Sequence, residues 1–348
     1  MKKYNALFEE MVTLENLFSA WTDFAKGKRK KKDVLEFEEN LEDNIVDLYQ
    51  DLIGSTYVPS SYEEFFVHDP KRRHIHKAKV RDRIVHRLLY DLLTKIYEPV
   101  FIAHSYSARK EKGTHKAVRE IKTMIRACSG NYVEPCFVLK CDIAKFFDSV
   151  DHEILMRLFQ KRILDERILY LLKGILDSAD GLKTYVPQGK GMPLGNLTSQ
   201  IFSNIYLHEL DYFIKQKLGV KNYVRYADDF FVVHSSQKQL REYVRAIAVF
   251  LKTDLQLFLH PRKVMISSVY DGIDALGYIL FPFYRGLRGR TKKRMLKKIL
   301  QLKFDYLFDE KNMKEIEATI ASYQGIMKHA DCFELSQAIM NSFTSWKL

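Results

Sequence analysis

The sequence predicts an α+β fold in which helices pack on one side of an antiparallel sheet. Three observations support this class. The chain has 348 residues, 47% of them hydrophobic, which is long and apolar enough for a large core. Short apolar segments rich in β-branched and aromatic residues indicate strands, and longer segments with helical spacing of apolar residues lie between them. Their order is strand, helices, hairpin, helix and strand, which favours helices layered on a sheet.

Helices dominate the first third of the chain. Residues 1–25 carry apolar side chains at helical spacing, among them Leu14, Leu17 and Trp21. The basic run Lys26–Lys32 follows, and a second helix is predicted over 33–55, with Gly54 at its end. Residues 68–89 are basic and partly alternating, which predicts a hairpin that leads into a helix.

The centre of the chain has the clearest order of elements. "PCFVLKCDIAKFF" predicts an apolar strand carrying Asp142, and a helical stretch over about 152–177 follows. "VPQGKGMPLGN" predicts a loop, 197–218 a helix, "YVRYADDFFVVH" a hairpin and 240–251 another helix. Strands predicted within 255–267 and 276–281 close the sheet. From Arg285 the chain is basic and predicted to be helical to its end.

Charge and cysteine usage limit the function classes. Lys and Arg number 56 against 44 Asp and Glu, a net charge of +12, which indicates a polyanionic partner such as nucleic acid. The four cysteines form no CxxC pair, which favours a reducing compartment. Without a signal-peptide pattern or an apolar run of about 18 residues, we expect a cytoplasmic protein that does not enter a membrane.

Two adjacent aspartates, Asp228 and Asp229, lie within the apolar hairpin segment. A tight turn accommodates one aspartate by local hydrogen bonding, but two like charges between aromatic residues need a further reason. A divalent cation supplies one, because carboxylate oxygens are its preferred ligands. Asp142, at the end of the preceding apolar strand, is the candidate third ligand. Three carboxylates at one sheet edge can hold two Mg²⁺ ions about 4 Å apart for displacement at phosphorus.

The ordered motifs resemble those of reverse transcriptases. "DIAKFFDSVD", the glycine-rich loop with its helix, and "YADD" are similar to that family's motifs A, B and C, in the family's order. "RRHIHKAKVRDRIV" resembles its fingers segment, "LHPRKVMI" its motif D and "LGY" its motif E. The resemblance implies an RNA-directed DNA polymerase shaped as a right hand, with fingers over 1–130 and part of 150–187, a palm over 131–284 and a helical thumb over 285–348.

The resemblance also implies roles for individual residues. The three aspartates would bind Mg²⁺, with Mn²⁺ as an alternative ion. Lys263 would protonate pyrophosphate, and the Phe147 ring would exclude a ribose 2′-hydroxyl and so select deoxynucleotides. The remaining implied positions are triphosphate contacts at Arg73 and Lys79, further substrate contacts at Leu194, Gly195 and Gln200, and primer or template support at Tyr226, Ser199 and Arg109.

Structural roles remain open for several of these residues. Arg73 and Lys79 fit a solvated strand face as well, and Tyr226 fits a packing tyrosine. A core position suits Phe146 better than Phe147. Asp148 and Asp151 are predicted to be local helix caps.

The loop resembling motif B indicates a subgroup. Many reverse transcriptases read QGxxxSP here, whereas this chain reads "LGNLTSQ", with Leu194 and Gln200 at the differing positions and Gly195 and Ser199 retained. An aliphatic residue followed by GxxxSQ is typical of reverse transcriptases of diversity-generating retroelements, which copy a template-repeat RNA with errors at adenines. Alternatives are a defence-associated, retron or group II intron-like reverse transcriptase, or a fold retained as an RNA-binding scaffold.

The resemblance implies the partners too. These are an RNA template, the RNA–DNA hybrid, deoxynucleoside triphosphates and a small basic accessory protein that forms a ring. We expect phosphate contacts from the basic stretches, and accessory-protein docking on the acidic helix around Glu39 and Glu42, because like charges repel. The basic stretches are Lys26–Lys32, Lys71–Arg83, Arg109–Lys116 and Arg285–Lys298.

Overall fold

The computed structural model describes residues 2–68, 72–180, 182, 185–308 and 312–344. Within these ranges the chain forms helices and short antiparallel strands, which confirms the predicted α+β class. No helix in them is long and apolar enough to cross a membrane. Lys71, the first residue of one predicted phosphate-binding stretch, lies outside the described residues.

The N-terminal part is helical and then forms a hairpin. Thr13 caps the second helix by accepting the Asn16 amide N–H at 3.1 Å. The single helix predicted over 33–55 is two helices, because the Asn40 backbone leaves the helical region and the Asn44 side chain donates to the Phe37 carbonyl oxygen at 3.0 Å. The elements are α1 (Leu7–Met11), α2 (Leu14–Ala25), α3 (Lys32–Glu38), α4 (Leu41–Ile53), β1 (Glu63–Val67), β2 (Arg73–Lys77), α5 (Val80–Tyr97) and α6 (Thr114–Cys128).

The central part alternates strands and helices. The stretch predicted as one helix over 152–177 is two helices, whose N-cap residues are Asp151 and Asp165. The predicted cap at Asp151 is therefore confirmed. The elements are β3 (Phe137–Asp142), α7 (Phe146–Ser149), α8 (His152–Gln160), α9 (Glu166–Asp177), α10 (Leu197–Tyr212) with a π-helical turn over Phe213–Lys217, β4 (Tyr223–Tyr226), β5 (Asp229–His234), α11 (Gln237–Asp254) and β6 (Met265–Ser268).

The main sheet has β3 in its interior. Its four strands pair antiparallel in the order β4-β5-β3-β6. Successive residues of β5 face opposite sides, so that Phe230 and Val232 join one apolar cluster while Phe231 and Val233 join another. Helix α6 covers the second face, as the contribution of Ile121 to that cluster shows. The prediction that helices cover only one side of the sheet was wrong, because both faces of this strand are apolar.

A second, smaller sheet precedes the C-terminal helices. Segment 276–281 was predicted to close the main sheet, but it belongs to this separate sheet. Leu276 and Gly277 both adopt positive φ, which suits a two-residue hairpin turn that pairs the segment with its immediate neighbour. Arg285 begins a strand and not a helix. The elements are β7 (Ile273–Ala275), β8 (Tyr278–Leu280), β9 (Arg285–Leu287), α12 (Gly289–Leu307), α13 (Met313–Met327) and α14 (Phe333–Thr344).

Candidate active site

Three carboxylates meet at one end of the main sheet. Asp142 is the last residue of β3 and pairs directly with Asp229, the first residue of β5. Asp228 occupies the turn between β4 and β5, next to Ala227, whose φ of 53° lies in the left-handed region. Residues that face each other across an antiparallel pair have neighbouring side chains. The strand register therefore brings together the carboxylates that the sequence predicts as metal ligands.

Burial and like charge make this end of the sheet unfavourable for bare carboxylates. Burial, followed by the negative charge of Asp228, raises the pKa of Asp229 to about 6, and Asp142 acts in the same direction. The Lys263 ammonium donates to Asp142 Oδ2 at 2.7 Å and partly offsets this charge. Crowded carboxylates with little solvent exposure fit a hard divalent cation, which would relieve their mutual repulsion.

Backbone pairing brings Lys263 to this site. The segment before Lys263 runs antiparallel to the end of β3, with Leu259 bridged to Ile143. The His260 amide donates to the Asp142 carbonyl oxygen at 2.8 Å, and the Lys263 amide donates to the His260 carbonyl oxygen at 3.0 Å. A sequence separation of more than a hundred residues thus becomes a direct side-chain contact.

A buried ion pair supports the turn that carries Asp228. Arg225 is fully buried and donates to both carboxylate oxygens of Asp211, at 2.7 and 2.6 Å. Its Nη1 also donates to the Ala227 carbonyl oxygen at 3.2 Å and to Asn204 Oδ1 at 3.1 Å. Sequence reasoning missed this network. The signal was an arginine in an apolar strand, since a buried charge requires a partner.

The chain after Asp142 runs beside the glycine-rich loop. Phe146 is buried in the core whereas Phe147 is half-buried, as the sequence predicted for the pair. The Phe147 carbonyl oxygen accepts the Met192 amide N–H at 2.7 Å, and the Val150 carbonyl oxygen accepts that of Gly191 at 2.7 Å. Phe147 therefore stands at the junction of β3 and the loop.

The loop itself contacts the β1–β2 hairpin. The Leu194 carbonyl oxygen accepts the His76 amide N–H at 3.0 Å. Gly195 has φ of 111°, and a Cβ there would lie 2.9 Å from Ile75 Cγ2. Ser199 is buried and donates to the Pro193 carbonyl oxygen, which closes the loop. The loop's other two predicted substrate contacts, Leu194 and Gln200, are half-buried and exposed, respectively.

Two predicted triphosphate contacts lie on or just after β2. Arg73 is exposed and shares a strand face with Ile75, the residue that touches Gly195. Lys79 is exposed at the start of α5 and forms an ion pair with Glu63 at 3.4 Å. The hairpin thus presents both cations near the loop.

The remaining predicted support residues differ in their surroundings. Tyr226 is half-buried, and its hydroxyl accepts a hydrogen bond from Thr114 at 3.0 Å, which joins β4 to α6. Arg109 does not fit its predicted role, because its side chain is only 5% exposed. Its guanidinium donates to Glu98 and to the Ile102 and Ser105 carbonyl oxygens. These contacts make Arg109 a structural residue.

Known proteins match this chain in sequence over most of its length. YkfC of Escherichia coli (strain K12) is 27% identical over 271 residues, which cover 67% of this chain and 70% of YkfC. The group II intron-encoded protein LtrA of Lactococcus lactis subsp. cremoris is 24% identical over 350 residues, which cover 78% of this chain. The chain spans only 57% of the length of LtrA.

A solved structure and a family profile complete the comparison. Apo telomerase from Candida tropicalis, truncated from its C-terminal domain, superposes with a TM-score of 0.50 at 11% identity, covering 70% of this chain and 60% of that one. This likeness shows the fold, which is that of a right-hand polymerase. The profile of reverse transcriptases (RNA-dependent DNA polymerases) matches residues 68–280, more than half of the chain. The chain belongs to the reverse transcriptase family.

Proposed function

We propose that this chain is the RNA-directed DNA polymerase of a diversity-generating retroelement, which copies template-repeat RNA into cDNA with errors at adenines. The observation that carries the polymerase activity is the direct pairing of Asp142 with Asp229, with Asp228 in the adjoining turn. The domain assignment follows the same proposal, with fingers over 1–130 and part of 150–187, a palm over 131–284 and a thumb over 285–348.

The three aspartates would hold two Mg²⁺ ions, or Mn²⁺ in their place. The chemistry such ions supply is activation of the primer 3′-hydroxyl and neutralisation of the triphosphate and the leaving pyrophosphate. Lys263 lies within hydrogen-bond distance of Asp142, so a short side-chain movement would let its ammonium protonate the leaving pyrophosphate. Its ion pair with Asp142 keeps this proton donor beside the reacting groups.

The same geometry outlines a nucleotide pocket. Phe147 stands beside the loop, where its ring would meet a ribose 2′-hydroxyl and so favour deoxynucleotides. Arg73 on β2 and Lys79 at the start of α5 are exposed cations, and β2 contacts Gly195 through Ile75, so we assign both cations to the triphosphate. Tyr226 and Ser199 position the backbone beside the primer and the template.

Asparagine substitutions test the polymerase site. Asp142→Asn and Asp228→Asn each remove a charged ligand and keep the side-chain volume, so primer extension on RNA should fall by several orders of magnitude. Asp271→Asn, at an exposed carboxylate, is the matched control and should leave synthesis unchanged. Synthesis within about tenfold of wild type in both site variants would contradict the assignment. A wild-type protein that binds RNA without synthesis would support the scaffold alternative.

The retroelement subtype rests on Leu194 and Gln200. Leu194 is half-buried and belongs to neither apolar cluster of the described residues, so it is available to line the pocket. A leucine offers contact but no directional hydrogen bond for checking a base pair. The test is to sequence cDNA made on a defined RNA template and from co-purified RNA. Errors concentrated opposite adenines support the subtype, and errors spread over all four bases oppose it.

The relatives favour a second candidate, a group II intron-like reverse transcriptase. LtrA, which is named as a group II intron-encoded protein, aligns with 78% of this chain. The same cDNA measurement separates the two candidates, because the group II intron-like alternative does not predict the adenine bias. An RNA template and the RNA–DNA hybrid are partners under both.

A basic accessory protein is the partner specific to the retroelement proposal. The predicted acidic helix is split between α3 and α4, and Glu36, Glu39, Glu42 and Asp43 are exposed there. Glu38 is paired with Arg29 at 2.6 Å, so it adds less to the free negative charge. Lysine substitution of Glu39 and Glu42 should weaken co-purification of the accessory protein, and an intact complex would rule out this face.

A further inference from the structure

Three potential metal ligands share one face of the β1–β2 hairpin. The two strands pair with Glu64 opposite His76 and Phe66 opposite His74. Opposite residues, and residues two apart on a strand, point to the same face. The His74 Nε2 atom lies 2.8 Å from Glu64 Oε2, and the ligand atoms of Glu64, His74 and His76 all lie within 4.8 Å of one another.

The residue types and their spacing fit a borderline-soft transition metal better than Mg²⁺. Zinc takes imidazole nitrogen and carboxylate oxygen at about 2.0–2.2 Å, which places tetrahedral ligand atoms roughly 3.4 Å apart. Side-chain movements of about 1 Å would bring the ligand atoms of Glu64, His74 and His76 to this tetrahedral spacing. Glu64 is 43% exposed at its side chain, so water from the solvent side can complete the coordination.

Aromatic neighbours hold the two imidazoles in place. The Phe66 ring stacks on His74 with ring centroids 4.5 Å apart. The Cζ atom of the Arg72 guanidinium lies over the same Phe66 ring, 4.1 Å from its centroid. Tyr62 meets His76 edge-on at 6.3 Å. Preset imidazole orientations lower the ordering cost of binding an ion.

A second group of the described residues with metal-ligand chemistry is already engaged. His152, Asp177 and Asp180 also lie within 4.8 Å of one another. However, His152 Nε2 contacts the Gly191 carbonyl oxygen at 2.7 Å, and Asp180 accepts the Gly189 amide N–H at 2.9 Å. These contacts fasten the glycine-rich loop to α8 and to the segment that follows α9, so this second group already has a structural role.

Apolar packing contributes little to the stability of the hairpin. All five residues of β1 are exposed, so β1 buries little apolar area. A two-stranded hairpin is marginally stable in water without further support. The His76 amide donates to the Leu194 carbonyl oxygen, so any cross-link between β1 and β2 also steadies the neighbourhood of Gly195.

We propose that Glu64, His74 and His76 form a zinc-type site that fastens β1 to β2, separate from the aspartate site at the end of the main sheet. Bound metal would replace the His74–Glu64 contact with three bonds from both strands. The hairpin would then become more resistant to local opening, and the opposite face, which carries Arg73 and Lys77, would be held in register.

Cobalt(II) provides a direct test, because tetrahedral Co²⁺ absorbs strongly in the visible range. The full chain, freed of metal with a chelator, is titrated with Co²⁺ in an excess of Mg²⁺, so that the aspartates contribute no signal. We expect one equivalent to give tetrahedral absorption that Zn²⁺ displaces. Glu64→Gln should weaken Co²⁺ binding at least about tenfold, and His74→Gln should remove the absorption.

Glu63→Gln is the matched control, since Glu63 is the adjacent residue of the same type on the opposite face. It should bind Co²⁺ as the wild type does. Circular dichroism of Glu64→Gln and His74→Gln, both altered at partly exposed side chains, verifies that they fold. The proposal fails if the wild type gives no saturable tetrahedral signal, or if the signal survives in both ligand variants.

Discussion

At the residue scale, Asp229 combines a proposed metal-binding position with a cost to stability. Its pKa is raised to about 6, above the unfolded value near 3.8, so the folded state disfavours its charged form. At pH 7 the carboxylate is ionised in both states, and the fold bears a penalty of about 3 kcal/mol. This penalty disappears below about pH 4, where the group is protonated in both states.

Asp229→Asn should therefore stabilise the metal-free protein while it abolishes synthesis. We expect the free energy of unfolding at pH 7 to rise by up to about 3 kcal/mol, and the gain to vanish near pH 4. Urea unfolding in the presence of a chelator measures it. Added Mg²⁺ should stabilise the wild type more than the variant. A variant less stable than the wild type at pH 7 would show that the carboxylate is satisfied by other groups.

Leu194→Gln tests the origin of infidelity at a single side chain. The glutamine could hydrogen-bond the nascent pair, and one such contact is worth about 1–3 kcal/mol, or roughly 10–200-fold in discrimination. Errors opposite template adenine should fall most. Because Leu194 is only half-buried, the melting temperature of the variant protein should change little. A folded variant with an unchanged error spectrum would show that the loop does not set fidelity.

Residue chemistry was predictable where the residue type allows few explanations. Paired aspartates in an apolar hairpin predicted a cation site, and the strand register places Asp142 opposite Asp229. The predicted role of Arg109 does not fit the structure, because an arginine in a basic stretch looks available to nucleic acid until its ion pair with Glu98 is known. Arg225 was missed for a related reason, since Asp211, on another element, neutralises it.

At the element scale, helices α5 and α10 meet through a buried histidine. His86 on α5 is 1% exposed, and its Nδ1 lies 3.1 Å from Thr198 Oγ1 on α10. Burial, and next the charge of Arg83, lowers the pKa of His86 to about 4. The unfolded chain, with a pKa near 6.5, binds the proton first as the pH falls. Stability is therefore lost between about pH 6.5 and 4.

His86→Asn should flatten this pH dependence, because asparagine keeps a group for Thr198 but does not titrate. Between pH 7 and 4 the wild type should lose about 3 kcal/mol more unfolding free energy than the variant. Chemical denaturation at both pH values gives this difference. Equal losses in the two proteins would place the acid sensitivity elsewhere.

Element types were predictable, but their pairing was less so. Hydrophobic periodicity correctly predicted the hairpin that carries Asp228 and most helices, since it reflects local burial. The hairpin predicted within 68–89 begins earlier, because its first strand is β1 (Glu63–Val67), whose residues are all exposed. Periodicity did not reveal that α6 covers the second face of the main sheet. The sequence of a continuous apolar strand does not tell which helices cover its two faces. Nor did periodicity separate the small sheet, whose independence depends on the positive φ of Leu276.

At the scale of the whole molecule, the net charge of +12 is unevenly available for nucleic acid. In the described part of the basic stretch that ends at Arg83, Lys77 pairs with Asp33 and Glu63, and Arg83 pairs with Asp33. Helix α12 instead exposes Arg290, Lys293 and Lys297. We therefore expect α12 to contribute more phosphate contacts than the hairpin region does.

A triple variant in which glutamine replaces Arg290, Lys293 and Lys297 should bind RNA more weakly and with a smaller salt dependence. Each lost phosphate contact lowers the slope of log K against log salt by about 0.7–0.9, so the slope should fall by roughly 2–3. Filter binding across a salt series measures it. Lys238, Arg241 and Arg245, exposed in the first half of α11, give a control of equal charge change, because α11 starts at the end of β5 remote from Asp229. Equal slope changes in both triple variants would refute the assignment.

The position of β3 between β5 and β6 has a consequence for biosynthesis. Both neighbours of this strand follow it in the chain, so neither exists when β3 leaves the ribosome. At about 5–20 residues per second, the ~90 residues between Asp142 and Asp229 take roughly 5–18 s to synthesise. Throughout that interval the apolar strand β3 has no partner strand on either edge, and unpaired strand edges favour aggregation. Nascent chains stalled before β5 should therefore be the ones that chaperones must protect.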